Sequence, residues 1–332
     1  MIVPFGSVQR HLTGVMAPGG FHGAGKQASY FEGWYLKFVT ADESDQVALI
    51  PGLFLGKDGR GEAFVQVLDG TTATSSYHRF DPDQFVASPS EFDTAIADNR
   101  FDQSGITVDL PSVAGSIRYT EPLTPWPVEM WSPGIMGWFA WLPSLQCYHG
   151  LLSFDHGLAG SLEVGGRTID FTDGRGYIEK DWGRSFPTGY VWMQSNHFTT
   201  TRLSVSASTA LVPVLGRTLR GFIVGVWLDG TLYRFATHNG SRSRTLSVTD
   251  ESVRWELSDP LGRRLILNAK RHPGTMLMAP LPSGMEPVVE ESLEATIYVR
   301  LTDRDGSVLV EDVGRCAGLE VYGDIQALAG AH

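Results

Sequence analysis

Gly174-Arg-Gly-Tyr-Ile-Glu-Lys-Asp-Trp-Gly-Arg-Ser-Phe-Pro-Thr-Gly-Tyr-Val-Trp-Met-Gln-Ser-Asn-His-Phe198 is the most informative stretch of this chain. It reads as two strands joined by a connection that ends at Pro187. Side chains of a strand alternate between faces, so Tyr177, Glu179 and Asp181 project one way and Ile178, Lys180 and Trp182 the other. The next strand alternates Tyr190, Trp192, Gln194, Asn196 and Phe198 on one face. Gly174, Gly176 and Gly183 permit close backbone approach at the ends of the acidic strand. Two carboxyl groups on one face suppress each other's ionisation, and in a dry pocket one of them can keep its proton at neutral pH. Proton chemistry on an apolar substrate is therefore expected.

Outward from this stretch the chain keeps the same grammar. Short apolar runs lie between Gly- and Pro-containing turns, with 38 Gly and 18 Pro in 332 residues, and helix signal is scarce. An all-β fold is expected, with strands at 30–39, 47–54, 62–68, 77–80, 92–97, 99–102, 106–110, 116–119, 147–154, 158–164, 167–171, 176–182 and 190–198. A second run follows at 202–211, 220–227, 231–237, 245–249, 252–257, 264–270, 292–300 and 307–313. Similar strand runs flank residue 185, which predicts two β-barrel-like halves, 1–185 and 186–332. Residues 1–28 read as a surface arm, Pro122–Pro143 as a loop holding four of the nine tryptophans, and His272–Pro287 as a Met- and Pro-rich loop. A turn at Asp81–Phe85 and a helix at Asp324–Leu328 are the helical candidates.

A formal charge of −11 argues against a nucleic-acid surface, which needs clustered Lys and Arg. Two cysteines, Cys147 and Cys316, make no disulfide framework. Neither a signal peptide nor a run of about 18 apolar residues is read, so a cytoplasmic protein is the expectation. Phosphate-loop, dinucleotide and nucleophile-elbow motifs are missing. His149, His156 and His197 match no metal spacing, and no metal is expected.

Three acids are candidates for catalysis: Asp181, Glu179 and Glu32. Glu32 stands in Tyr-Phe-Glu-Gly-Trp-Tyr, where flanking aromatics would desolvate it and raise its pKa. The alternative is structural pairing, of Glu179 and Asp181 with Arg175, Arg184 or Lys180 and of Glu32 with Lys37 or an arginine. Tyr190 and Trp192 beside Gln194 and Asn196 look like an apolar cavity wall with orienting hydrogen-bond groups. The Trp- and Met-rich loops either grip a hydrocarbon or pack domains together.

Tyr30 through Lys37, Tyr148-His149-Gly150, Gly174 through Phe186, Trp192 through Phe198 and Ala317 through Val321 together resemble the tocopherol cyclase family. A more distant likeness is to carotenoid hydratases and other tandem lipocalin-like proteins. The resemblance implies two tandem lipocalin-like antiparallel β-barrels and a cyclisation without cofactor. In it, a prenyl alkene is protonated and a phenol oxygen captures the cation to form a chromanol-type ring. Glu179 and Asp181 fit the acid. Tyr177, Tyr190 and Trp192 fit the cation-stabilising wall, and Asn196 or His149 the phenol-orienting group, with Gln194, Trp34 and Trp182 as further substrate contacts. The partner implied is a small apolar prenylated aromatic or terpenoid, drawn through peripheral membrane contact. The chain has no transit-peptide-like extension, so ring-closure chemistry transfers more safely than tocopherol itself. A hydratase or isomerase, and a carrier that binds an apolar ligand without turning it over, are the competing readings.

Overall fold

Twelve of the first fourteen strands hydrogen-bond into antiparallel order around one apolar cluster, and the acidic strand lies near the middle. A computed structural model describes residues 11–330 apart from 13, 144 and 215–216. The chain divides into two compact units, with the main break between Phe186 and Pro187. Residues 278–287 belong to the first unit and residues 70–73 to the second.

The first unit contains β1 (Tyr30–Val39), β2 (Gln46–Leu55), β3 (Gly61–Asp69), β4 (Thr74–Phe80), β5 (Phe85–Ala87), β6 (Asp93–Ile96), β7 (Asn99–Asp102), β8 (Gly105–Leu110) and β9 (Val113–Tyr119). A small hairpin, β10 (Val128–Glu129) and β11 (Ser132–Pro133), precedes β12 (Cys147–Val164), β13 (Arg167–Asp170) and β14 (Arg175–Gly183). The large sheet runs β4-β3-β2-β1-β14-β12-β9-β8-β7-β6-β5, with β13 paired to β12. It wraps a cluster that includes Trp34, Leu36, Phe38, Leu49, Val65, Phe101, Ile117, Leu158, Phe171 and Ile178. β1 and β14 are buried on both faces, and this cluster takes the side that carries Trp34, Leu36, Phe38 and Ile178. Where two strands are expected at 147–154 and 158–164, the structure has one, β12, whose register slips twice between Leu151 and His156. Those bulges produce the break in alternation that reads as a strand end.

The second unit holds β15 (Gly189–Ser195), β16 (Leu203–Val214), β17 (Arg217–Leu228), β18 (Thr231–Ala236), β19 (Arg242–Val248), β20 (Ser252–Ser258) and β21 (Arg264–Lys270). β22 (Thr275–Leu281), β23 (Gly284–Thr302), β24 (Val308–Gly323) and a helix at Ile325–Gly330 complete the chain. Its sheet order is β18-β17-β16-β15-β24-β23-β21-β20-β19, with β22 paired to β23. Val191 and Met193 of β15 face the unit's own core with Val205, Val224, Trp255, Leu267 and Leu319. Regular alternation in β15 stops at Ser195, and Phe198 packs against that core instead of joining the Trp192 face.

The Met- and Pro-rich stretch expected to be a loop instead carries β22 and the start of β23. Pro280 lies within β22, where its carbonyl still accepts from the Phe186 N–H at 2.9 Å. Met278 and Gln66 exchange two hydrogen bonds, of 2.7 and 3.3 Å. Among the described residues no helix is long and apolar enough to cross a membrane.

Candidate functional site

β14 carries two charged clusters, one on each face of the sheet. Its register with β1 sets Trp34 opposite Lys180 and Tyr35 opposite Glu179, while its register with β12 sets His149 opposite Asp181. Tyr177, Glu179, Asp181 and His149 therefore share the face that points away from the apolar core. Lys180, Trp182, Glu32 and Trp34 share the core face.

On the outer face His149 bridges the two acids. Its Nδ1 lies 2.9 Å from an Asp181 oxygen and its Nε2 3.5 Å from a Glu179 oxygen. Tyr177, fully buried, donates its hydroxyl at 2.5 Å to Glu179 Oε2, the same oxygen that His149 Nε2 approaches. Glu179 is buried at 4% exposure, whereas the Asp181 side chain keeps 29%. Burial works against a charged His149, but Asp181 and Glu179 outweigh it and hold its pKa up at about 9. At neutral pH the ring is thus a cation between two carboxyl groups. The Cys147 thiol lies 3.8 Å from Asp181, and burial together with that acid pushes its pKa well above the ordinary thiol range, so it is a neutral neighbour. Cys147 also packs on the aromatic cluster of Phe31, Phe54 and Phe64, which sets an apolar surface beside the acids.

On the core face Glu32 is fully buried and makes an ion pair with Lys180. It also accepts from the backbone N–H of His22 at 2.9 Å and from the Tyr30 hydroxyl. Burial alone would raise the pKa of Glu32, as its aromatic neighbours suggest, but Lys180 and His22 outweigh burial and lower it. Burial depresses Lys180 to about 8 against the pull of Glu32, so both partners are charged at neutral pH. The Lys180 ammonium also lies over Trp34 and Trp182, 4.6 and 5.0 Å from the ring centroids, and His22 stacks on Trp182 at 4.2 Å. Glu32, Trp34 and Trp182 therefore form a different cluster from Glu179 and Asp181. Glu32 does pair with a cation, as the structural alternative has it, but with Lys180 and not with Lys37 or an arginine.

Lys180 pairs with Glu32 and Arg175 with Asp155 and Glu121, while Lys37, fully buried and opposite Tyr177 in the β1–β14 register, lies on the same face as Glu179 and Asp181. His149, Glu179 and Asp181 place three ligand atoms within 4.8 Å of one another and are the described residues able to hold a divalent cation. A metal there would have to displace the His149 proton. His156 is elsewhere, buried with Nδ1 2.9 Å from Ser153 Oγ, and burial and Arg175 lower its pKa to about 3. His197 belongs to the second unit, bridged to Arg315.

A model of the tocopherol cyclase-like family matches residues 111–323, well over half of the chain. The chain belongs to the tocopherol cyclase-like family. Two relatives are a probable tocopherol cyclase, chloroplastic, of Oryza sativa subsp. japonica and a tocopherol cyclase, chloroplastic, of Zea mays. Each is 26% identical over 200 residues, covering 56% of this chain and 42% and 41% of the relatives' own length. The match thus spans about two-fifths of those proteins. Among solved structures, a crystal structure of CghA with Sch210972 superposes with a TM-score of 0.54 at 12% identity, covering 89% of this chain and 88% of CghA. That likeness establishes the shared fold, and the expectation of paired antiparallel β units is met.

In this tocopherol cyclase-like chain a cavity of about 350 Å³ opens beside the aromatic cluster, walled by Phe54, Leu55, Gln146, Ser185, Leu281 and Pro282, with Lys57 and Arg184 at its edge. Sequence reasoning missed Lys57, Leu281 and Pro282, which come from a turn and from β22 and its hairpin. It also missed His22, whose segment reads as an aperiodic arm, ten residues before Glu32 in the chain and without a pattern that points to it. In the second unit Tyr190 donates to Glu320 at 2.6 Å, opposite Trp192 in the β15–β24 register. Gln194 is fully buried on that same face, and Asn196 lies 3.5 Å from it.

Proposed function

We propose that the protein is an acid-catalysed cyclase that closes a ring on a prenylated aromatic or related terpenoid, with the Asp181–His149–Glu179 cluster as its proton source. The observation that carries this reading is the cluster in which His149 lies 2.9 Å from Asp181 and 3.5 Å from Glu179, the latter accepting from the Tyr177 hydroxyl. Covering the acids with an apolar substrate removes water, and loss of water favours the uncharged form of a carboxyl group. The proton belongs to the cluster as a unit. Asp181, its most exposed member, is the position from which it leaves.

In the proposed reaction, that proton goes to the less substituted carbon of the prenyl alkene and leaves a tertiary cation. The phenol oxygen bonds to the cationic carbon, and the phenol proton returns to the cluster. Atoms and charge balance with no added reagent. Phe31, Phe54 and Phe64 offer faces that tolerate the cation. Glu32, held as an anion by Lys180, is left out of the transfer, and Trp34 and Trp182 serve to shield that ion pair. Tyr190, Trp192, Gln194 and Asn196 are proposed as ligand contacts of the second unit. The family membership supports the ring-closing class; the head group stays open.

The partial exposure of Asp181 favours one second reading, in which water captures the cation and the product is an alcohol. Incubation with a prenylated hydroquinone in D₂O, followed by mass spectrometry, separates the two. Ring closure gives a product of changed retention that has gained one deuteron on carbon and no water; hydration adds a water as well. Asp181→Asn and Glu179→Gln are each expected to lower turnover by roughly 10²–10⁴. Normal turnover by both variants would remove the acid assignment, and binding without any turnover would leave a carrier.

A further inference from the structure

Among the described residues twelve large apolar side chains are exposed, and six of them fall in two short segments: Leu12 and Met16, and Met130, Trp131, Trp138 and Leu142. Met130 and Trp131 are the most exposed of all, at 73% and 75%, and they form the tip of the β10–β11 hairpin, where Glu129 pairs with Ser132. The Trp141 indole holds that tip by donating to the Met130 carbonyl at 3.1 Å. The two segments adjoin one another, because His11 meets the backbone at Ala140 and Trp141 and because Gly134 lies beside Pro18. Scattered apolar residues on a surface are ordinary, but a contiguous group of this kind marks a docking surface.

Its charge identifies the occupant. Residues 130–143 and 11–22 contain no Asp, Glu, Lys or Arg, while the chain as a whole carries −11. An anionic lipid surface would repel such a protein, and a protein partner recognised by charge would find nothing to pair with. Trp and Met side chains around an uncharged patch suit the interface of a neutral bilayer. Behind the patch, Pro133, Met136 and Ala140 line a small cavity of about 20 Å³ whose wall also includes His149. His22, Tyr148 and Trp182 also stand in that wall, so the segment with the exposed tryptophans backs onto the end of the sheet where His149 and the aromatic neighbours of Lys180 meet.

We propose that the Trp131–Trp138 surface docks on an uncharged lipid bilayer and that this is where the apolar substrate is collected. Only the identity of the cargo rests on the ring-closure reading; the lipid contact does not. The test is flotation of the full chain with phosphatidylcholine vesicles. Wild-type protein is expected to float, to do so equally at low and high salt, and to float less when anionic phosphatidylglycerol is added. Trp131→Ala with Trp138→Ala is expected to weaken partitioning by at least about tenfold, since each tryptophan loses its buried area. Both side chains are exposed, so circular dichroism of the double variant is expected to match wild type. Asp181→Asn should float like wild type, which separates a failure of the lipid contact from a failure of the chemistry. The proposal is overturned if wild-type protein stays unbound, if the double variant floats unchanged, or if binding requires anionic lipid and is lost in salt. Sedimentation showing a vesicle-free dimer that the double variant abolishes would assign the surface to a second copy instead.

Discussion

Asp181→Asn should bring the titration of His149 down toward neutrality. The change keeps the volume of the side chain, and the amide oxygen can still accept the bond now made at 2.9 Å. What disappears is one of the two negative charges that overcome burial and hold His149 at about 9. Two unit charges about 4 Å apart interact by about 4 kcal/mol at an effective dielectric near 20. Asp181 is 29% exposed, so solvent screens the pair, and about half of that, ~2 kcal/mol, is the usable part. At 1.36 kcal/mol per pKa unit the expected fall is about 1.5 units. His149 of the variant should then titrate near ~7.5. NMR of ¹⁵N-histidine-labelled protein, with His149→Gln to assign the signal, measures this directly. The stability has a matching sign. A histidine whose pKa is raised on folding contributes fully below its ordinary value of 6.5 and loses that contribution as the pH rises through about 9. In the variant that alkaline loss should begin earlier. A His149 titration that moves by less than about half a unit would show that Asp181 does not hold the imidazolium, and the proton-donating cluster would lose its outer end.

Other substitutions probe the two faces separately. Tyr177→Phe deletes the hydroxyl that donates to Glu179 and should cost about 1.5–3 kcal/mol in denaturant unfolding, the range for a hydrogen bond to a charged group. Lys180→Met strands Glu32 in the core and should cost about 3–5 kcal/mol, with Lys180→Met plus Glu32→Gln recovering more than half of it. Gly52→Ala would put a Cβ 2.5 Å from Phe64 and 2.7 Å from the Glu32 carbonyl, and should lower stability by about 1–3 kcal/mol. Its cross-strand partner is the control: at Gly33 the nearest atom to a Cβ is 3.6 Å away, so Gly33→Ala should leave the melting temperature nearly unchanged.

Alternation made much of this legible. The faces of β1, β14 and β15 follow from residue spacing, because aliphatic side chains gather on the side that packs each unit's core while the other side, also buried, takes polar and aromatic ones. Register was not legible. The sequence places Glu32 and Trp34 together and Glu179 and Asp181 together, but nothing in it says that β1 meets β14 with Trp34 opposite Lys180. That pairing puts Glu32 on the wrong face to join the other acids and gives it a buried cation. His149 is the converse case. The resemblance offers it as a phenol-orienting group, and only the β12–β14 register brings it between Glu179 and Asp181. The β22–β23 hairpin was hidden because its prolines argue against pairing, yet Pro280 needs no N–H to accept from Phe186.

Residues 278–287 complete the first unit although nearly a hundred residues of the second precede them in the chain. Gln66 meets Met278 across a separation of 212 residues, and Met285 packs on the Phe31, Phe54 and Phe64 cluster. During synthesis the unit that bears Glu179 and Asp181 cannot finish when its own consecutive strands have emerged; it waits until the ribosome has passed Pro287. Loop closure over such a span slows folding and prolongs the time in which aromatic surface is bare. A gene cut at residue 186 would accordingly yield an N-terminal fragment that aggregates, however natural that cut looks on paper.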